Sequence, residues 1–223
     1  VAIPKLPVTL CVDRGGFVGA DGSTHHGVFD ISYLRCIPNL TVMLPKDRFE
    51  LEAMLDLSYG MDTPAAIRYA RGDALQDGTL PINNVAAGVP EMVFEGEEIA
   101  VISAGHIFAE VYKAYKRLSI DGIHISLINL RFIKPLDEDI LMDYLKNKKI
   151  IFTVEEGVLA GGTGEMIRSL LVRRNIPIPT FMLGIEDRFF EHGGIADLRK
   201  ETGIDEASVY AAIKSAAENL KEI

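Results

Sequence analysis

The 223-residue sequence has no tryptophan, two cysteines and five histidines. Cys11 and Cys36 have neither metal-ligand spacing nor a redox CxxC arrangement, so they are expected to be reduced, buried thiols. His25 and His26 are adjacent and share no helical face, while His106, His124 and His192 lie far apart in sequence. No metal ligands are assigned on that pattern. Positive charge is scarce: 23 Lys and Arg stand against 32 Asp and Glu, which excludes the basic footprint expected of a nucleic-acid-binding surface. No apolar run approaches the roughly 18 residues a membrane span requires. The opening VAIPKLPVTL lacks the charged and apolar regions of a secretory leader, and a cytoplasmic location is expected. The chain opens on a strand-like run without an initiator Met, as a piece of a longer polypeptide would.

Apolar residues make up 48% and charged residues 25% of the chain, the balance of a globular enzyme with a substantial core. Residues 6–12, LPVTLCV, read as a buried strand, followed by a glycine-rich loop. From Asp47, whose carboxylate suits a helix N-cap, the spacing predicts a helix with Phe49, Ala53, Met54 and Leu57 on its inner face. PAAIRYA reads as a second strand, and residues 76–95 as a connector. Beyond it strands and helices alternate: strands at 99–103, 123–129, 150–154 and 180–183, helices at 106–118, 136–146, 164–174, 194–201 and 205–220. In the helix at 106–118, Ile107, Val111 and Tyr115 are expected inward. This is an α/β pattern with a mainly parallel sheet covered on both faces. Residues 1–75 then form part of a domain and residues 96–223 a complete one. Two strands and one helix cannot bury a parallel sheet, so upstream sequence or a companion chain is expected to supply the rest.

Three constellations carry chemistry. The loop from Arg14 to Gly27 combines several glycines with Arg14, Asp21, His25 and His26, just beyond a strand end where open parallel sheets place their binding crevices. Arg14 suits a phosphate, while Asp21 and His25 suit hydroxyls and proton traffic. A purely structural loop, with Asp21 capping a turn and His25 at the surface, fits equally well. In IRYARG, Arg71 stands at a strand tip where its guanidinium could grip a phosphate, while Arg68, on the other face, is expected in a structural ion pair. In VEEGVLAGGTGE the glycines could cradle an anion at a helix start, but the paired carboxylates favour a tight crossover that packs against a partner subunit.

DRGG followed by GADGSTHHG, then FDISYLRCIPNLTVMLP, RYARG, NLRFIKPLDE and VEEGVLAGGTGE, resemble in order and over nearly the whole chain the 1-deoxy-D-xylulose-5-phosphate synthase family of the transketolase superfamily. The GxDGxTHxx loop and VEExxxxGGxG turn are shared by the superfamily; DRxGxVGADGxTHxGxFDxSYLRxIP narrows the likeness. The resemblance implies the second half of a pyrimidine-binding domain followed by a transketolase-type C-terminal domain that packs in a homodimer. It implies a thiamine diphosphate- and Mg2+-dependent condensation of pyruvate with glyceraldehyde 3-phosphate, with loss of CO2, as the first step of non-mevalonate isoprenoid synthesis. The product also feeds thiamine and pyridoxal phosphate synthesis. Arg14 and Arg71 match the family's phosphate-anchoring arginines, and Asp21 and His25 its polar residues facing the substrate. Tyr69-Ala70 departs from the family's Tyr-Pro and leaves both arginines in place. The family's cofactor-activating glutamate and its GDG…N segment lie upstream of Val1, and Gly72-Asp73-Ala74 is no substitute. No cofactor-binding residue is therefore assigned to this chain, which is expected to be inactive without the missing N-terminal portion. Other readings are a transketolase or 2-oxo acid dehydrogenase beta subunit, or an inert dimerisation fragment.

Overall fold

The computed structural model describes residues 1–75, 80 and 84–221. The first part of the chain contributes β1 (Thr9–Val12), α1 (Asp30–Arg35), β2 (Thr41–Met43), α2 (Arg48–Tyr59) and β3 (Ala65–Arg68). Then come β4 (Glu91–Phe94), β5 (Ile99–Ser103), α3 (Phe108–Ile120), β6 (Ser126–Asn129), β7 (Phe132–Lys134), α4 (Glu138–Leu145) and β8 (Ile150–Val158). The chain continues through α5 (Thr163–Arg173), β9 (Thr180–Ile185), α6 (Ile195–Glu201) and α7 (Glu206–Lys221).

Two sheets result. The larger has five strands in the order β4-β6-β5-β8-β9, parallel except for β4. Its strands read as near-continuous apolar runs because both faces are covered. Val101, Phe152 and Val154 pack on one face with Phe108, Val111 and Leu118 of α3 and with Val209 and Ile213 of α7. Ala100, Ile102 and Ile151, the alternate residues, pack on the other face with Leu141 of α4 and Ile167 and Leu170 of α5.

The smaller sheet has four strands in the order β1-β3-β2-β7. Its first three strands are parallel, with Leu10 opposite Ala66 and Val42 opposite Ala66 on the other side. One face meets the larger sheet's own core through Val42, Leu44 and Ala66, and the other is covered by Met54 of α2. The fourth strand, β7, comes from the second half of the chain and runs antiparallel to β2. The two halves therefore share both a sheet and a core.

A buried polar network seals the same seam. The Lys46 ammonium lies 2.8 Å from Glu50 and 2.9 Å from Glu91, and Arg131 lies 2.6 Å from Glu50 and 2.9 Å from Glu91. Asn129 donates to Glu50 at 2.9 Å. Burial favours the neutral form of Lys46, but Glu50 and Glu91 outweigh it and raise its pKa; Lys46 and Arg131 correspondingly lower that of Glu50 against its burial.

Several expectations are revised. Asp47 does cap α2, accepting from the Glu50 N–H at 2.8 Å. The buried residues of α2, however, are Glu50, Met54 and Ser58, and Phe49 is exposed. The inner face is turned because a carboxylate paired with two cations can be buried where the apolar pattern leaves it out. β2 and α1 add to the two strands and one helix expected of the first segment, and β7 joins its sheet from the second half. Cys11 and Cys36 are free but exposed: Cys11 sits on β1, an edge strand, and Cys36 just past the end of α1. Residues 76–79 and 81–83 of the expected connector lie outside the described residues, and β4 lies within its last part, paired to β6.

Candidate active site

The loop after β1 is held in a closed shape by its own backbone. Gly16 N–H donates to Gly27 O at 2.8 Å, Gly27 N–H donates to Arg14 O at 3.1 Å, and Gly15 N–H donates to Tyr69 O at 2.9 Å, just past the end of β3. Arg14 adopts a left-handed φ of 61°, a conformation costly for a residue with a side chain and concentrated at functional sites. Gly16 has a φ of 82°, and a Cβ there would fall 2.7 Å from the Glu156 carboxyl carbon. The loop thus rests directly on the side chain of Glu156.

His26 fixes the loop from inside. It is buried; its Nδ1 accepts from the Val18 N–H at 3.1 Å, so Nε2 carries the proton and donates to Glu191 O at 3.3 Å. Phe17 stands edge-on to its ring at 5.2 Å. Of the two adjacent histidines, His26 is structural and His25 is exposed, its Nδ1 2.9 Å from Thr24 Oγ1.

Three of the four residues singled out from sequence come together. Asp21 Oδ2 lies 2.5 Å from Arg71 Nη1 and 4.0 Å from Arg14 Nε. The side chains of Arg71, Arg14 and Asp21 are 54%, 47% and 32% exposed, so the pairs contribute little to stability and their cations remain within reach of solute. His25 follows on the same loop, with its ring nitrogen against Thr24. Arg68, by contrast, is buried: its Nε lies 2.9 Å from Asp30 Oδ2, and its Nη2 donates to Gly27 O and Glu156 O at 3.0 and 2.9 Å. It is the structural ion pair that strand alternation predicts.

Glu155 and Glu156 belong to β8, not to the turn after it. The backbone N–H groups of Thr163 and Gly164, at the start of α5, donate to the Glu155 carboxylate at 2.7 and 2.8 Å. The chain's own carboxylate fills the position an anion would take, which removes the anion-cradle reading. The glycine turn packs against α1 of the same chain, where Arg35 donates to Gly161 O at 2.7 Å and Ser32 to Ala160 O at 2.8 Å.

On the opposite face, Glu156 accepts from Arg199 Nε at 2.9 Å. Its Oε2 lies 3.0 Å from His106 Nδ1, and the other nitrogen of that ring, Nε2, faces Arg199 Nη2. Burial alone pushes its carboxyl up, but His106 and Arg199 overcome this and hold it at about 2. Glu156, His106, Arg199 and His26 thus set the loop's position, and none of them carried a sequence signal for that role beyond the VEEG string. Among the described residues, no group of three or more His, Cys, Asp or Glu is arranged to hold a metal ion.

Residues 1–75 match the transketolase pyrimidine-binding domain model and residues 88–209 the transketolase C-terminal domain model. The chain is 44% identical over 209 residues to a 1-deoxy-D-xylulose-5-phosphate synthase of Caldanaerobacter subterraneus subsp. tengcongensis, covering 94% of this chain and 34% of that protein. It is 39% identical over 216 residues to the synthase of Aquifex aeolicus, covering 97% of this chain and again 34% of the relative. The chain therefore spans about a third of the length of the curated relatives it matches. Among solved structures, a split-gene transketolase described as an inactive beta4 tetramer superposes with a TM-score of 0.86 at 24% identity, over 97% of this chain and 69% of that one. Transketolase from Campylobacter jejuni gives 0.72 at 18% identity, over 93% of this chain and 31% of that one. These two likenesses concern the fold alone. With a pyrimidine-domain segment followed by a C-terminal domain, each matched in the expected order, the chain belongs to the transketolase family.

Proposed function

We propose that the chain is part of a thiamine diphosphate-dependent 1-deoxy-D-xylulose-5-phosphate synthase that condenses pyruvate with glyceraldehyde 3-phosphate and releases CO2. The observation that carries this reading is the exposed Arg71–Asp21–Arg14 cluster at the C-terminal ends of two parallel strands. Two guanidiniums around one carboxylate leave net positive charge for a phosphate, in the fork geometry arginine provides. The curated relatives carry the synthase name.

Thiamine diphosphate, when bound, supplies the nucleophilic carbon that takes up pyruvate with loss of CO2. This chain's residues act on the acceptor. Arg14 and Arg71 fix its phosphate, and Asp21 and His25 orient its hydroxyl and carbonyl oxygens. The loop's rest on Glu156 limits its movement, so the acceptor is held in line. Magnesium and the main cofactor contacts belong to the segment upstream, as does the cofactor-activating glutamate. A homodimeric assembly and a cytoplasmic location complete the reading.

The edge strand β1 supports an incomplete domain. It is half-exposed, whereas the parallel strand β3 beside it is buried throughout. The upstream half of the pyrimidine domain would cover it, and the chain alone is inactive on this reading. The test is CO2 release from pyruvate by the chain reunited with that upstream portion, with thiamine diphosphate and Mg2+. Release strongly accelerated by glyceraldehyde 3-phosphate is expected. Release indifferent to the aldehyde, or none, would turn the assignment toward another transketolase-type enzyme.

A further inference from the structure

We propose that the loop between β9 and α6, residues 186–194, forms a wall of the acceptor site and that its His192 makes a hydrogen bond to the phosphorylated acceptor. The inference rests on the acceptor-site reading above and extends it to a residue from the far end of the chain.

The loop is fastened to the glycine-rich loop on both sides of His192. Before it, Phe190 is buried edge-on to Phe17 at 5.4 Å, and Glu191 O accepts from His26 Nε2 at 3.3 Å. After it, Gly193 N–H donates to Gly19 O at 3.4 Å. These anchors fix the backbone to either side of His192 and leave its side chain exposed. Its Cβ lies 3.5 Å from the point where a Cβ on Gly22 would be. Gly22 directly follows Asp21, and its carbonyl accepts from the His25 N–H at 3.0 Å. Gly22 thus has Asp21 beside it in sequence, His25 hydrogen-bonded to it and His192 against it.

With the backbone fixed on both sides, only the two side-chain torsions of the imidazole remain to be ordered when it meets a ligand. It can donate to a phosphate or hydroxyl oxygen beside a cluster whose cations already draw that ligand in. The ligand class is a short phosphorylated aldehyde.

The test is a titration, with glyceraldehyde 3-phosphate, of the chain labelled with 15N in its imidazoles and reunited with its unlabelled upstream portion. The five histidines give resolvable signals, and His25→Gln and His192→Gln identify two of them. Signals of His25 and His192 are expected to shift together along one binding curve. His192→Gln and His192→Asn should weaken binding by about tenfold, the loss of one hydrogen bond to a charged group. His124→Gln should leave it unchanged. A shift of His25 without His192, with unaltered affinity in both His192 variants, would overturn the proposal while leaving the acceptor site standing. No shift at either histidine would overturn both.

Discussion

Glu155 and Glu156 are consecutive residues of β8 whose side chains point to opposite faces of the sheet, and their surroundings drive their acidities in opposite directions. Glu155 faces the start of α5, where burial raises its carboxyl to about 7 although the N–H groups of Gly164 and Thr163, and Arg68 beyond them, pull it down. Glu156 faces His106 and Arg199 and is held at about 2. One dipeptide thus caps a helix with one side chain and supports the candidate substrate loop with the other.

A raised carboxylate stabilises the fold below its unfolded pKa, and the contribution is lost as pH rises through the folded value. For Glu155 the window runs from about 4.5 to about 7. Stability measured by urea unfolding should fall between pH 5 and pH 8 by on the order of 2–3 kcal/mol from this residue. Glu155→Gln does not titrate, so its curve should lack that component even if it is less stable throughout. Identical pH slopes in the two proteins would show that Glu155 does not titrate in this range.

Glu156 has the opposite sign. Its folded pKa is depressed, so its stability is present above about 4.5 and lost as pH falls toward about 2. Glu156→Gln removes the nearer carboxylate from Arg199 and leaves it Glu110 at 3.6 Å, a loss of about 1–3 kcal/mol. The variant should also lose part of the wild-type steepness of acid unfolding between pH 4.5 and 2. Glu156→Ala, which removes the loop's support as well, should be no more stable than the glutamine variant.

How much of this was legible in the sequence depends on the range of the interaction. Strands β5, β8 and β9 and helices α3, α5 and α7 announce themselves by long apolar runs or helical spacing. β2 and β7 have three residues each and α1 has six, too few for a period to show. The burial of Glu50 was illegible because its partners include Arg131, which reaches it only once β7 joins the smaller sheet. Exposed Cys11 was misread because its strand looks interior by composition, while its position at the sheet edge is a property of topology. At the site, the loop residues and the ion pair of Arg68 were readable locally. Glu156, His106 and Arg199 come from a strand, the turn before α3 and a late helix, and only the fold brings them together.

The contact between Gly16 and Glu156 can be separated from backbone strain. Gly16→Ala would suffer both a φ of 82° and a Cβ 2.7 Å from the Glu156 carboxyl carbon. Gly203→Ala suffers a φ of 70° with nothing within 4 Å. Strain alone costs about 1–2 kcal/mol, so Gly203→Ala should lose about that much and Gly16→Ala measurably more. Equal losses in a denaturant titration would mean that Glu156 yields freely and does not support the loop.

Arg71 is the sharpest probe of the proposed chemistry. In the enzyme completed by its upstream portion, Arg71→Ala should raise KM for glyceraldehyde 3-phosphate about 10- to 100-fold, the loss of one or two charge-assisted hydrogen bonds. KM for pyruvate should barely move, because pyruvate has no phosphate to lose. Arg71→Lys should recover only part of the loss, since an ammonium cannot reproduce the fork. An equal rise for both substrates would mean that Arg71 shapes the site as a whole and would remove the phosphate assignment.

The seam between the two halves of the chain gives a last prediction. β7 completes the smaller sheet from the second half, and Lys46 with Glu50 faces Glu91 with Arg131 across the same boundary. Neither half can unfold without exposing that network and part of the other's core, so the chain should melt as one cooperative unit despite its two matched domain models. Lys46→Met removes one of two cations from between Glu50 and Glu91 and leaves buried negative charge in excess. It should cost about 3–5 kcal/mol and still give a single transition. The check is to follow urea unfolding by far-ultraviolet circular dichroism and, separately, by exchange of amide hydrogens in β3 of the smaller sheet and in β5 and β8 of the larger. Coincident midpoints for circular dichroism and the protected amides of both sheets would establish one unit. If amides of β3 exchange well before those of β8, the halves are separable and the network is a contact between two independent folds.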